Sequence, residues 1–202
     1  VEEAGEYAYA QIPDTLTLSG AEDGEKRLSF MWVDGAGNRS PQTETSISID
    51  RVIPAFASVN LIEPEGRRRM LMTLDGVDTT VLFMQTEDSV VCTLSGFDPT
   101  PSSDLVSVEV ITCDETGNEL VTNTYAYSAL LELSPTANVA YRSYKLTVID
   151  AAGNRSQTIE TTMVKGDLSA PTGSLALNGT STQNNTLFTF DLSVDDADES
   201  PL

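Results

Sequence analysis

Trp32-Val33-Asp34-Gly35-Ala36-Gly37-Asn38-Arg39-Ser40 recurs as Val148-Ile149-Asp150-Ala151-Ala152-Gly153-Asn154-Arg155-Ser156, an offset of 116 residues (34 to 150). Glu44-Thr45 matches Glu160-Thr161 at that same offset, and Ile47 matches Met163. Upstream, Tyr7-Ala8-Tyr9 returns as Tyr125-Ala126-Tyr127 at an offset of 118. Five consecutive identities inside a longer in-register match are the mark of an internal repeat, and a repeat decides the architecture before any single element does.

A second match extends the pattern. Val90 to Asp98 aligns with Phe188 to Asp196, and the proline-marked starts Pro54 and Pro171 lie 117 residues apart. One unit is therefore about 117 residues, near the length of an immunoglobulin-type sandwich. Residues 1–53 read as the closing half of a unit, 54–170 as a complete one and 171–202 as the opening of a third, so the 202 residues are expected to be a piece of a longer array.

Within each unit the apolar residues alternate with period two, as in strands buried on one face. Leu28, Phe30 and Trp32 share a face, as do their counterparts Tyr144, Leu146 and Val148. Val90, Cys92 and Leu94 correspond to Phe188, Phe190 and Leu192, and Val106, Val108 and Val110 form a further inward row. Between strands, Asp34 to Asn38 and Asp150 to Asn154 place Gly37 and Gly153 where a left-handed backbone is tolerated, and Asp114-Glu115-Thr116-Gly117-Asn118 repeats that chemistry. No window carries a convincing amphipathic helix. The expected fold class is all-β, in tandem immunoglobulin-like β-sandwich domains.

Composition excludes several functions. Eleven basic residues against 31 acidic ones give a net charge of −20, which cannot neutralise phosphates, so nucleic acid is not an expected partner, nor is an anionic membrane surface. No apolar run is long enough to insert in a bilayer. The chain has no histidine, and so lacks the commonest general base and transition-metal ligand. No glycine-rich phosphate loop follows a strand, and among 31 acidic residues some close carboxylate pairs arise on any surface. Catalysis is not expected. The acidity serves either solubility or the binding of calcium through hard oxygen ligands.

The pattern apolar-x-apolar-x-apolar, then Asp-x-Ala-Gly-Asn-x-Ser, a second strand and a proline linker, spans Trp32 to Pro54 and again Val148 to Pro171. It resembles the bacterial immunoglobulin-like repeats of giant surface adhesins and other large exported proteins. Tyr144 to Val148 is also similar to the penultimate strand of fibronectin type III domains. The stretch Glu63 to Thr86, with Arg67-Arg68-Arg69, departs from the pattern as an insertion. The resemblance implies an extracellular, cell-surface spacer or stalk whose partners are neighbouring repeats and a host-cell, matrix or biofilm ligand. It also implies calcium between successive units, held by Asp34 and Asp150 in the turns, Asp50 and Asp167 in the linkers, and Asp98 with Asp196.

Each of these features has a plainer reading. The turn aspartates can simply bond nearby backbone amides and shape the hairpin. Asp195 to Glu199 lacks the spacing and glycine of a helix–loop–helix calcium site and is expected to be an exposed acidic loop. Cys92 and Cys113 make one candidate disulfide, but Cys92 matches Phe190 as a small buried hydrophobe, and Cys113 lies off the parity of the valine row. The triple arginine either meets an acidic partner or is a solvated charge run. Trp32 is expected to pack in a core rather than to serve as a sugar platform. Asn38-Arg39-Ser40, Asn154-Arg155-Ser156 and Asn178-Gly179-Thr180 match the glycan acceptor pattern, which a bacterial protein ordinarily leaves unmodified. Two rivals to the stalk are a structural subunit of an extracellular filament or surface layer, and a carbohydrate-binding accessory module of a secreted enzyme.

Overall fold

The computed structural model describes residue 15 and residues 22–85, 89–99, 104–133, 141–167, 170–178 and 189–195. These residues form β-strands joined by turns and loops, and no helix among them is long and apolar enough to cross a membrane. Tyr7 to Tyr9 and Asp196 to Glu199 lie outside the described residues.

The body of the fold is two sheets over one core. β3 (Ala55–Leu61), β6 (Val90–Phe97) and β9 (Leu130–Leu133) make a three-stranded antiparallel sheet in the order β3-β6-β9. The larger sheet runs β4-β5-β12-β10-β7-β8, with β4 Arg68–Leu74, β5 Val77–Gln85, β7 Leu105–Cys113, β8 Glu119–Ala126, β10 Tyr141–Asp150 and β12 Met163–Asp167. A short strand, β11 (Ile159–Glu160), pairs with β10. Phe56, Leu61, Cys92, Leu94, Leu131 and Leu133 from the first sheet pack with Val108, Val110, Tyr144, Leu146, Val148 and Val164 from the second. Two sheets sharing one apolar interior are consistent with a β-sandwich. Burying each such side chain removes it from water at about 1.5–3 kcal/mol.

The inserted stretch is a hairpin. β4 and β5 pair through Leu74↔Val77, turning at Asp75 and Gly76, both with positive φ (48° and 80°). β5 then lies parallel to β12, from Met163↔Val81 to Asp167↔Gln85. Val81, Leu82, Phe83 and Met84 are all buried. A strand flanked on both sides and covered on both faces reads as a continuous apolar run, not an alternating one. Of the three arginines, Arg67 donates to Gln85 Oε1 (2.8 Å) and Arg69 to the Leu61 carbonyl (2.8 Å), with an ion pair from Arg69 to Glu63.

Two ribbons stand outside these sheets: β1 (Gly24–Phe30) with β2 (Thr43–Ile49), and β13 (Thr172–Leu177) with β14 (Phe190–Asp195). Their registers carry the sequence offsets. Ser29↔Glu44 and Phe30↔Thr43 in β1–β2 become Lys145↔Glu160 and Leu146↔Ile159 in β10–β11, each shifted by 116. The isolated bridge Val33↔Arg39 becomes Ile149↔Arg155. Leu175↔Leu192 and Leu177↔Phe190 in β13–β14 stand where Val59↔Leu94 and Leu61↔Cys92 stand in β3–β6. A bulge between Phe56 and Ser58 accounts for the one-residue change of offset along β3. At the pair Phe56↔Gly96, corresponding to Gly173↔Val194, the bulky partner has changed strands. A Cβ on Gly96 would approach the Ala55 carbonyl and Leu105 at 3.3 Å, and one on Gly173 would reach the Ser193 carbonyl at 2.9 Å. One side of that pair has to stay small.

Four expectations are corrected. Trp32 is 56% exposed and Phe30 44%, although their counterparts Val148 and Leu146 are fully buried. Among the described residues only β10 has a facing sheet; the β1–β2 ribbon is two strands wide. Val106 is exposed while Val108 and Val110 are buried, because the register slips between Ile149 and Asp150, whose partners are Ser107 and Leu105. The slip skips Val106 and turns Leu105 toward the core. Finally, Cys92 and Cys113 are both buried free thiols, so the candidate disulfide is not formed. Burial raises the Cys92 thiol to about 11, the behaviour of an inert small hydrophobe.

Candidate metal centre

The Asp-x-x-Gly-Asn turn is built the same way three times. Asp34, Asp114 and Asp150 each receive a bond at the backbone carbonyl from the glycine three residues on, at 3.0, 3.1 and 3.2 Å. Each Oδ1 accepts from the backbone amide of the asparagine four residues on, at 2.8, 2.9 and 2.8 Å. Each Oδ2 accepts from that asparagine's side-chain amide, at 2.8, 3.1 and 2.9 Å. The glycines Gly37, Gly117 and Gly153 have φ of 86°, 85° and 89°, where a Cβ would be strained. The serine that follows closes the turn, with Ser40 Oγ accepting from Trp32 N (2.9 Å) and Ser156 Oγ from Val148 N (3.1 Å).

The carboxylate is thus first a turn former. The Asn38 side-chain amide, then the Asn38 and Ala36 backbone amides, hold Asp34 below the ordinary carboxylate range. The Thr116 hydroxyl, then the Asn118 side chain, holds Asp114 at about 2. Among the described residues, neither Asp34 nor Asp114 belongs to a converging acidic group. The motif by itself does not make a site.

What sets Asp150 apart is its surroundings. It closes β10 and is 1% exposed. Asp98 follows the last residue of β6, and Asp50 the last residue of β2. One carboxylate oxygen from each of Asp50, Asp98 and Asp150 lies within 4.8 Å of the other two. Three sequence candidates, 48 and 52 residues apart (50 to 98, 98 to 150), therefore meet at one point. Asn154 ties the group together: its Nδ2 donates both to Asp150 Oδ2 (2.9 Å) and to the Asp50 carbonyl (3.2 Å). Asp50 Oδ1 accepts from Val52 N (2.9 Å), and its Oδ2 is buried. Gln157 Nε2 adds a second link across the same region to the Phe56 carbonyl (3.2 Å).

The chemistry of this donor set suits a hard cation. All donors are oxygens, and oxygens sharing one ion at 2.3–2.6 Å lie no more than about 5 Å apart. Three carboxylates supply three of the six to eight ligands calcium takes; carbonyls or water would supply the rest. Without a cation, like charges at such separations repel by about 3.5 kcal/mol per pair at an effective dielectric of 20.

The remaining candidates do not join it. Asp34 stays in its own exposed turn, and Asp167 ends β12 apart from the trio. Asp196 lies outside the described residues. Two roles had no mark in the sequence. Asn154 belongs to the repeated motif, but its bridge to the Asp50 carbonyl depends on tertiary approach. Lys165 is 3% exposed, with its ammonium 5.1 Å from the Tyr141 ring and 6.0 Å from that of Phe83, its partners on the two neighbouring strands.

In comparisons with protein-family models, with curated proteins and with solved structures, nothing matches this chain.

Proposed function

We propose that the chain is a spacer segment of a large bacterial cell-surface adhesin, built of tandem immunoglobulin-like sandwiches and acting outside the cell without catalysis. The carrying observation is that strand registers and turn hydrogen bonds recur at the sequence offsets, which is how copies of one folding unit behave. Units that each close their own core give a rod whose stability is close to additive along its length. Such a rod holds a distal binding domain, directed at a host-cell, matrix or biofilm ligand, away from the surface.

In this reading calcium stiffens the joints. Asp50 leaves the preceding unit, whereas Asp98 and Asp150 belong to the next, so one ion held by all three would tie linker to sandwich. Asp167 and Asp196 stand at the corresponding places of the following joint, 117 residues beyond Asp50 and 98 beyond Asp98. The acidity of the chain, −20 overall, supplies ligands and keeps a long array soluble.

Single-molecule pulling tests the spacer. A mechanically resistant unit of 117 residues (54–170) releases about 40 nm of contour length in one force peak. Calcium should raise the peak force, and chelator should lower it. Extension without any discrete peak would end the reading. Antibody labelling of intact cells against permeabilised ones tests the location independently.

A further inference from the structure

The two sheets of the main body end in four edge strands, and three of them carry features that discourage further pairing. β4 opens with Arg68 and Arg69, β3 follows Pro54 and bulges between Phe56 and Ser58, and β9 is four residues long. β8 has only a register slip at its start, where Thr112↔Val121 gives way to Cys113↔Glu119. From Val121 to Ala126 its register with β7 is unbroken, and the stretch holds no proline, glycine or charge. Every residue in it except Tyr125 is exposed. Among the described residues, β7 is its only neighbour in the sheet.

The hydrogen-bonding parity of that edge is fixed. Tyr127 N donates to the Val106 carbonyl (3.0 Å), and antiparallel pairs alternate between bonded and non-bonded. Val108↔Tyr125, Val110↔Asn123 and Thr112↔Val121 are therefore bonded pairs, and the backbone groups of Thr122, Thr124 and Ala126 point away from β7. A second β8, running antiparallel about a two-fold axis at Asn123, matches these groups. Thr122 then meets Thr124 of the second copy and exchanges both backbone bonds with it, twice by symmetry. In the same register Val121 faces Tyr125, and Asn123 faces Asn123, at the closer non-bonded positions. Threonine pairs, and a β-branched residue against an aromatic ring, are favourable cross-strand partners. The stretch Val121-Thr122-Asn123-Thr124-Tyr125 is thus complementary to its own reverse. Val121, 48% exposed, and Tyr125 lie on the face of Val108 and Val110, so the pairing carries the apolar inner face of the sheet across to the second copy.

We propose that β8 is a self-recognition edge, through which two copies of the chain join their larger sheets into one by antiparallel β8–β8 pairing about Asn123. The inference goes beyond the spacer reading and does not need it, because β7 and β8 belong to the two-sheet body itself. A contact of one surface with itself closes at two copies. With a charge of −20 on each copy, association strengthens as salt rises and screens the repulsion. β8 runs parallel to β10, since both are antiparallel to β7. One end of β10, Asp150, lies by Asp50, and the other, Tyr141, pairs with Lys165 two residues before Asp167. In the spacer reading, the two-fold therefore sets rods side by side in opposite directions, as rods extending from facing cells would lie.

Light scattering and sedimentation in about 0.5 M NaCl test this on the chain at about 0.01–1 mM. The mass of the unaltered chain should rise from monomer to dimer and stop. Thr124→Pro should stay monomeric, because the N–H it removes faces away from β7 and the internal ladder keeps its bonds. Far-UV circular dichroism checks that the strands persist, and Val121→Asp replaces that variant if they do not. With oxidised glutathione, Asn123→Cys should form a disulfide-linked dimer, since that position meets its own copy on the axis, and Thr122→Cys should not. The native thiols Cys92 and Cys113 are buried and do not compete. Growth past two copies, dimers that survive the edge variant, or equal cross-linking at both new cysteines would overturn the pairing. So would a chain that is monomeric throughout, which would leave the edge to a foreign strand. The force peak of residues 54–170, read on single chains, stands or falls apart from these results.

Discussion

Replacing Asp98 by asparagine should stabilise the protein in chelator and lose most or all of that advantage in calcium. In chelator, Asp50, Asp98 and Asp150 stand within 4.8 Å with their like charges opposed. Three pairs repel at about 3.5 kcal/mol each for an effective dielectric of 20, and Asp98→Asn removes two of the three. Asp50 and Asp98 are only half-buried, so solvent screening leaves a net gain of about 1–3 kcal/mol. The variant therefore melts several degrees above the unaltered protein, at roughly 4 °C per kcal/mol. In 10 mM calcium most or all of that lead is offset. An ion bound with a Kd of about 10⁻³ to 10⁻⁴ M, the range of extracellular sites, stabilises the unaltered chain by roughly 1.4–2.7 kcal/mol. The variant, short of one charged ligand, gains little. Calorimetric or fluorescence melts of both proteins in both media decide the matter. Coincident unaltered-protein melts with and without calcium, or a variant whose lead is the same in both media, would refute the cation-bridged joint.

Two further outcomes follow from the core. Tyr144 Oη is buried without a hydrogen-bond partner, so Tyr144→Phe should raise stability by about 1 kcal/mol in urea titration. Burial, with Cys92 adding to it, lifts the Tyr144 phenol to about 12, and burial lifts the Cys92 thiol from 9.0 to about 11. Both raised values favour the neutral form in the fold, so this stability is complete below the unfolded values. It is lost as pH climbs from about 9 through 12, and in Tyr144→Phe the loss should end near pH 11. Leu146→Ala, at a fully buried site, should cost about 2–5 kcal/mol. Phe30→Ala at the corresponding exposed position should cost under about 0.5 kcal/mol. Equal losses at the two positions would mean that the β1–β2 ribbon is covered within one chain.

Much of the local structure was legible in the residues. The strand–turn–strand around Asp34 and Asp150 forms the same bonds in both places, because its chemistry is local: a carboxylate, a glycine with positive φ, and an asparagine four residues on. The alternation of Val108 and Val110 was legible for the same reason, since side chains point to opposite faces every second residue. So was the insertion between Glu63 and Thr86, as a break in the repeat.

Contacts between distant segments had no such local mark. Trp32 and Val148 occupy equivalent places in the motif, yet one is exposed and the other buried, because burial depends on whether a second sheet lies opposite. The parallel pairing of β5 with β12 joins residues 82 apart (81 to 163), and a single-residue slip beside Asp150 turned Val106 outward. The same holds for the acidic centre. Sequence supplied six candidate aspartates and the reason oxygen ligands suit calcium. Only the approach of three strand ends selected Asp50, Asp98 and Asp150 from them, since charge repulsion and metal coordination both depend on distance through space and not along the chain.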